Sequence, residues 1–263
     1  MNGVPTFDRY IGIDYSGAQT PTASLRGLRV YMADRMAPPF EVQPPTSQRK
    51  YWTRAGIAAW LSHQLLKDDA VTLVGIDHGF SFPLAYFREH QLPLDWMVFL
   101  IDFQRHWPTD ENIYIDFVRD GICGDAAARS GSPRWRRLTE VRARGAKSVF
   151  QFDVQGSVAK STHAGLPWLL RIRSQAGDRV HFWPFDGWDF PPGRSVIAEV
   201  YPALWSRLFI PESRDSHQRD AYSIVAWMRD SDVNGRLAQF MSPVLTPEDR
   251  KIAEIEGWIL GVL

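Results

Sequence analysis

The sequence predicts an α/β domain built on a mixed sheet, and three observations carry that prediction. Short apolar runs rich in Val and Ile recur along the 263 residues, amphipathic helical stretches separate them, and three of the runs end in a carboxylate. Those runs are Tyr10-Ile11-Gly12-Ile13-Asp14, Val71-Thr72-Leu73-Val74-Gly75-Ile76-Asp77 and Val196-Ile197-Ala198-Glu199. Runs of this length and composition read as strands buried on both faces. An acid at their C-terminal end sits where an α/β sheet opens to solvent and builds sites.

The elements follow in order. After Asp14 a turn-rich stretch leads to Leu28-Arg29-Val30-Tyr31-Met32 and then to Phe40-Glu41-Val42, which predicts an antiparallel meander. A helix is predicted from about Thr53 to Leu66, with Ile57, Trp60, Leu61 and Leu65 on one face. The strand ending at Asp77 completes a βββαβ order. The next such run, ending at Glu199, lies much further on than a simple crossover needs, so residues 78–177 are predicted to be an inserted helical and irregular segment within one domain. Its Trp96, Phe99, Phe103 and Trp107 have the spacing of a buried helical stripe, a better reading than a base-stacking surface. Thr162 to Arg173 reads as a helix and Val180-His181-Phe182-Trp183 as a strand. The predicted core is thus 8–77 and 178–230.

Asp220 belongs to a later helix. With Ile224, Trp227 and Met228 at i+4, i+7 and i+8, it lies on the face that packs against the sheet. Thr246-Pro247-Glu248-Asp249 is an N-cap with proline at the first helical position, and predicts a final helix over 246–262 through Ile252, Ile255, Ile259 and Val262.

Composition narrows the chemistry. Thirty Lys and Arg balance thirty Asp and Glu, so a nucleic-acid partner would be held by a local patch and not by the net charge. One basic cluster exists: Arg129, Arg134, Arg136, Arg137, Arg142, Arg144 and Lys147, with Glu140 the acid among them. It reads either as a phosphate grip or, given Gly131, Pro133 and Gly145, as a solvated helix face or exposed loop. Cys123 is the single cysteine, which excludes an internal disulfide and a cysteine-based metal site within one chain. No apolar stretch approaches the ~18 residues of a membrane span, and the residues from Met1 to Asp8 carry no export signature, so the expected location is cytoplasmic and away from membranes.

Asp14, Asp77, Glu199 and Asp220 are the candidate site. Neighbouring strands would force their charges together, and such acids stay ionised when a cation sits among them. Oxygen ligands without cysteine or paired histidines favour magnesium or manganese over zinc. Two such ions about 4 Å apart activate water on one side of a phosphodiester and stabilise the leaving oxygen on the other; Asp14 would bridge them. Each acid also has a plainer reading. Asp14 before Tyr15-Ser16-Gly17 and Asp77 before His78-Gly79 could shape turns, Glu199 could end a strand ahead of Pro202, and Asp220 could be a surface acid. His217, one turn before Asp220, could orient water or phosphate or simply start the helix, and His78 has the same two readings.

The order of these pieces resembles the ribonuclease H-like fold. The strand-one aspartate, the strand-four acid and the late helical Asp220-Ala221 resemble its Holliday-junction resolvase branch. The sequence is still more similar to domain-of-unknown-function family 429, described as predicted nucleases of that fold. The matching pieces are Gly12-Ile13-Asp14, Gly75-Ile76-Asp77, Gly156-Ser157-Val158, Trp183-Pro184-Phe185, Glu199-Val200-Tyr201-Pro202 and Arg219-Asp220-Ala221, from Tyr10 to Trp227 overall. The resemblance implies a mixed sheet with helices on both faces and a metal-dependent nuclease acting on nucleic acid. The insertion and Tyr15-Ser16 depart from the resolvases.

Two other classes compete. The actin and sugar-kinase superfamily shares the core topology, and Asp14-Tyr15-Ser16-Gly17 imitates its phosphate-holding turn, but those phosphotransferases use two copies of the core. A catalytically silent nucleic-acid-binding module would keep the acids for other purposes. Ser157-Val158-Ala159-Lys160 lacks the companion motif of penicillin-recognising enzymes, and Ala159 stands where a phosphate-binding loop needs glycine.

Overall fold

The computed structural model describes residues 6–17, 19–45, 49–143 and 145–263; residues 1–5, on which part of the export reading falls, and Arg144 of the basic cluster lie outside the described residues. The architecture is α/β with one mixed seven-stranded sheet. The predicted strands form as β1 (Arg9–Tyr15), β2 (Leu28–Asp34), the short β3 (Phe40–Glu41), β4 (Thr72–Asp77), β5 (Val180–Trp183) and β6 (Ser195–Val200). Between β3 and β4 runs α1 (Arg54–Leu66), capped by Thr53, whose side chain accepts from the Gly56 amide.

The order across the sheet is β3-β2-β1-β4-β6-β5. β1 pairs antiparallel with β2 and parallel with β4; β4, β6 and β5 run parallel. The segment after β4 carries α2 (Leu84–Glu89), α3 (Trp96–His106), α4 (Ile115–Arg119), α5 (Leu138–Arg142) and α6 (Ala159–Ala176). The chain then returns as β5 at the edge, and β6 inserts between β5 and β4. The aromatic stripe of α3 is core, as its spacing predicts: Trp96, Phe99, Phe103 and Trp107 are all buried.

Strand alternation divides two apolar cores. Ile11, Ile13, Val74, Ile76 and Ile197 face α1, α3 and α6, whereas Tyr10, Leu73, Val196, Ala198 and Val200 face the long helix α7 (Ser216–Val233). α7 sits very close to the sheet because Gly12 and Gly75, paired in register, offer it no side chains. A Cβ on Gly12 would lie 2.7 Å from the Ala221 carbonyl oxygen, and one on Gly75 would lie 2.8 Å from Ile224.

After α8 (Leu237–Met241), the final helix departs from its expected length. α9 covers Pro247–Glu256 and stops at Gly257, whose φ of 80° ends the helix. Trp258, Ile259 and Leu260 are buried in succession, a pattern no one-sided helix can satisfy, and Ile259–Leu260 become β7 beside β6.

Candidate carboxylate site

Asp14 and Asp77 are cross-strand partners at the C-terminal ends of β1 and β4. They share the parity of Gly12 and Gly75, so both project to the α7 side. Asp220 comes from the second turn of α7, whose N-terminus is fixed by a reciprocal cap in which Asp215 accepts from the Gln218 amide and Gln218 accepts from that of Asp215. Three of the four predicted acids therefore gather beneath one helix.

Their electrostatics are unfavourable by design of the fold. Burial, then the charges of Asp14, Asp220 and Glu199, push the Asp77 carboxyl well above its ordinary range. Among the described residues no hydrogen-bond donor reaches that carboxylate. Asp220 is pushed up to about 6, by burial first and by Asp14 second. Burial also raises Asp14, against which two hydrogen bonds act: Ser16 Oγ donates to Oδ1 at 2.7 Å and His217 Nδ1 donates to Oδ2 at 2.7 Å. The Asp14 contact in turn raises the His217 imidazole. His217 is thus built into the site, with Nε2 the ring atom left to exchange a proton.

Glu199 is placed differently. It pairs with Ile76, one residue short of Asp77, while Val200 occupies the Asp77 level. One step along a strand reverses the face, so Glu199 projects away from α7. There Arg137 clamps it, Nη1 and Nη2 each donating to one carboxylate oxygen at 2.6 Å, and the Phe80 amide donates to Oε2 at 3.1 Å. Arg137 also donates through Nε to Glu140 at 2.8 Å and through Nη1 to the Glu256 carbonyl at 3.2 Å. Glu256 accepts from the Leu84 and Leu138 amides, tying the insertion to α9. Glu199 adds its charge to the field at Asp77 without joining the α7-side group.

His78 is fully enclosed. Its Nδ1 donates to the Gly79 carbonyl, burial lowers its pKa to about 4, and α6 approaches so closely that a Cβ on Gly165 would meet Nε2 at 2.5 Å. A neutral, packed histidine positions the turn after β4.

Most of the described members of the basic cluster are held by partners, Arg134 being exposed. Arg137 is core, Arg129 is paired with Asp102, Arg142 with Asp249, and Arg136 and Lys147 are bonded to backbone carbonyls. The cations facing the acids are others, Arg207 and Arg219. They line a cleft of about 640 Å³ together with Asp77, Asp220, Ser16, Ser161 and Ser206. Sequence reading met Arg219 only as part of Arg219-Asp220-Ala221 and missed Arg207, because neither lies in a basic run. It also missed Arg137 as a core residue, although its spacing to Glu140 is that of a capping pair.

The donor set fits a divalent cation in chemistry: three carboxylates supply hard oxygens, and among the described residues no cation pairs with Asp77. Among the described residues no group of three or more His, Cys, Asp or Glu side chains is already drawn together as a metal shell. Cation binding at Asp14, Asp77 and Asp220 would therefore include closing their oxygens around it.

No family model matches the chain, and no solved structure does. One curated protein is similar over a short stretch: a UDP-N-acetylmuramoyl-L-alanyl-D-glutamate–2,6-diaminopimelate ligase of Ralstonia nicotianae, 39% identical over 64 residues. The match covers 24% of this chain and 12% of the ligase. No helix among the described residues is long and apolar enough to cross a membrane.

Proposed function

We propose that the protein is a magnesium- or manganese-dependent nuclease of the ribonuclease H-like class, the class that its resemblance to family 429 implies. The observation that carries this reading is the gathering of Asp14, Asp77 and Asp220 under α7, with no cation among the described residues paired to Asp77. A structural cluster would be neutralised from within, as Glu199 is by Arg137. Asp14, Asp77 and Asp220 would hold the metal, which when bound supplies a water of lowered pKa and stabilises a leaving oxygen.

The protein's own groups have separable tasks. Asp14 fixes the His217 ring through Nδ1, leaving Nε2 to take a proton from attacking water or return one to the leaving oxygen. Arg207 and Arg219, on the walls of the same cleft, suit the non-bridging oxygens of a phosphodiester. The Arg137 clamp holds the end of β6 rigid beside Asp77. Glu199 acts on the site through charge and position and not as a metal ligand.

The test is cleavage of labelled single-stranded, duplex, hybrid and four-way-junction nucleic acids with manganese, comparing the wild type with Asp77→Asn. Cleavage by the wild type, reduced by about 100-fold or more in the variant, is expected. Folded wild type that binds manganese yet cleaves none of the panel overturns the nuclease reading in favour of a silent binding module.

A further inference from the structure

The cleft that holds Asp77 and Asp220 has a second kind of wall, formed by the start of α6: Gly156, Ser157, Val158 and Ser161 all line it. α6 runs for 18 residues, so its dipole makes this end electropositive, and Val158 supplies no side-chain cap. Ser157 Oγ accepts from the Ala159 amide at 3.1 Å, which leaves the Ser157 proton free to be donated. The next two amides, of Lys160 and Ser161, meet no acceptor among the described residues, as is usual in the first turn of a helix. The Lys160 ammonium is paired with Asp116 at 2.7 Å, and the Ser161 hydroxyl donates to the Val158 carbonyl at 2.9 Å. What this wall offers a ligand is therefore backbone N–H groups and the Ser157 hydroxyl.

A separate element points to the same ligand. Ser206, in the turn Ser206–Leu208 after β6, is only 8% exposed and lines the same cleft. Its hydroxyl has no hydrogen-bond partner among the described residues, yet it is not one of the polar atoms sealed from solvent, so it stays accessible where the cleft meets it. A hydroxyl nine-tenths buried and left unpaired is costly unless something in the cleft accepts from it. Arg207, the next residue, is exposed on the cleft wall and forms no ion pair among the described residues. Arg219 differs, lying 4.0 Å from Asp220 on the carboxylate side.

Amides, hydroxyls and a guanidinium all donate, so these groups suit a ligand that only accepts. A phosphate, with several anionic oxygens, meets that demand at a helix start; an apolar or cationic group does not. At about 640 Å³ the cleft has the size of a small-molecule site, so a phosphate on this wall keeps its neighbour close to the carboxylates.

We propose that the start of α6, with Ser206 and Arg207, forms a phosphate subsite that holds a second phosphate of the substrate while the scissile one lies at Asp14, Asp77 and Asp220. The subsite deepens the nuclease reading and rests on it for its place beside the scissile bond, but phosphate binding there needs no metal. The phosphate can be a terminal monoester or the next diester of a continuing strand, and the probes separate these.

The experiment titrates the full-length protein, without divalent metal, with inorganic phosphate and with single-stranded oligonucleotides of one sequence carrying a 5′-phosphate, a 3′-phosphate or neither. The amide resonances of Lys160 and Ser161 are followed, and affinities come from calorimetry. Saturable movement of both amides by phosphate is expected. Ser206→Ala and Arg207→Gln should each weaken phosphate binding by about tenfold or more, because a donor to a charged acceptor is lost. An oligonucleotide with one terminal phosphate binding about tenfold tighter than the unphosphorylated strand assigns a terminal monoester. Equal affinities, with both amides moved by every strand, assign a backbone diester. Amides that stay fixed at saturating phosphate and oligonucleotide overturn the proposal, as does unchanged phosphate affinity in folded Ser206→Ala and Arg207→Gln. If neither variant folds, the wild-type amide shifts decide alone. The nuclease reading fails separately: protein that binds phosphate in this way but cleaves no nucleic acid keeps the subsite as that of a silent module, and cleavage with fixed amides keeps the nuclease without the subsite.

Discussion

Two carboxylate clusters, one buried and one opening to the cleft, lie back to back across the ends of β4 and β6, and they are built on opposite principles. On one face Glu199 and Glu140 surround Arg137, with Glu256 held by backbone amides beside them. On the other face Asp14, Asp77 and Asp220 meet with His217 attached to Asp14 and with Arg207 and Arg219 on the cleft wall beside Asp220. The first cluster has its counterion fixed by five Arg137 donor contacts, and such clusters specify geometry. The second holds charge that the fold does not balance, the arrangement expected where a ligand completes the site.

The comparison is most sharply broken at Arg137. Arg137→Met leaves Glu199 and Glu140 buried without their partner, and a loss of about 3–5 kcal/mol is expected in urea unfolding. The opposite cluster should respond in the opposite sense: Asp77→Asn removes repulsion and is expected to raise the melting temperature. A destabilised Asp77→Asn would erase the distinction between the two faces.

Cation linkage tests the same contrast. Manganese at a hundredfold excess over its dissociation constant should stabilise the wild type by about 2.7 kcal/mol in a thermal shift series. The gain should vanish in Asp77→Asn and persist in Glu140→Gln, which touches only the Arg137 side.

Geometry comes next in size. Gly12→Ala drives a methyl into the Ala221 carbonyl and Val225, so an overpacking loss of about 1–3 kcal/mol is expected in denaturant unfolding, together with weaker manganese binding as α7 lifts Asp220 away. Binding unchanged in a destabilised Gly12→Ala would show that the approach of α7 does not set the site.

The smallest effect is a pH slope. Asp220 has an ordinary value of 3.8 and is held up to about 6 in the fold. Between those values the folded chain binds the extra proton, so this group's contribution makes stability fall as pH rises from about 4 to about 6 and then level off. Allowing for solvent screening of its part-exposed carboxylate, the change is about 1–2 kcal/mol. Asp220→Asn should flatten that slope. A slope unchanged in Asp220→Asn would assign the titration to other groups.

Much of this molecule was written locally. The apolar runs ending at Asp14 and Asp77, the helix with Asp220 above Ile224 and Met228, and the cap at Thr246 are short-range patterns, and each formed where its period and capping residues placed it. The end of α9 was misread because Ile255 and Ile259 keep a helical period across Gly257, whose positive φ interrupts it. The basic cluster kept two readings because proximity in sequence does not determine whether an arginine reaches solvent, a carboxylate or the core.

Glu199 marks the boundary between the two kinds of information. The sequence by itself determined that β6 ends in an acid beside the other strand ends, because composition and period define a buried strand. Only the tertiary structure decided that β6 pairs one residue out of step with β4, turning Glu199 to Arg137 and leaving Val200 level with Asp77. Register is a relation between strands distant in the chain, and here it delivers Glu199 to the Arg137 clamp. A period of two along each strand fixes relative faces within it, but not which residue of its neighbour it will meet.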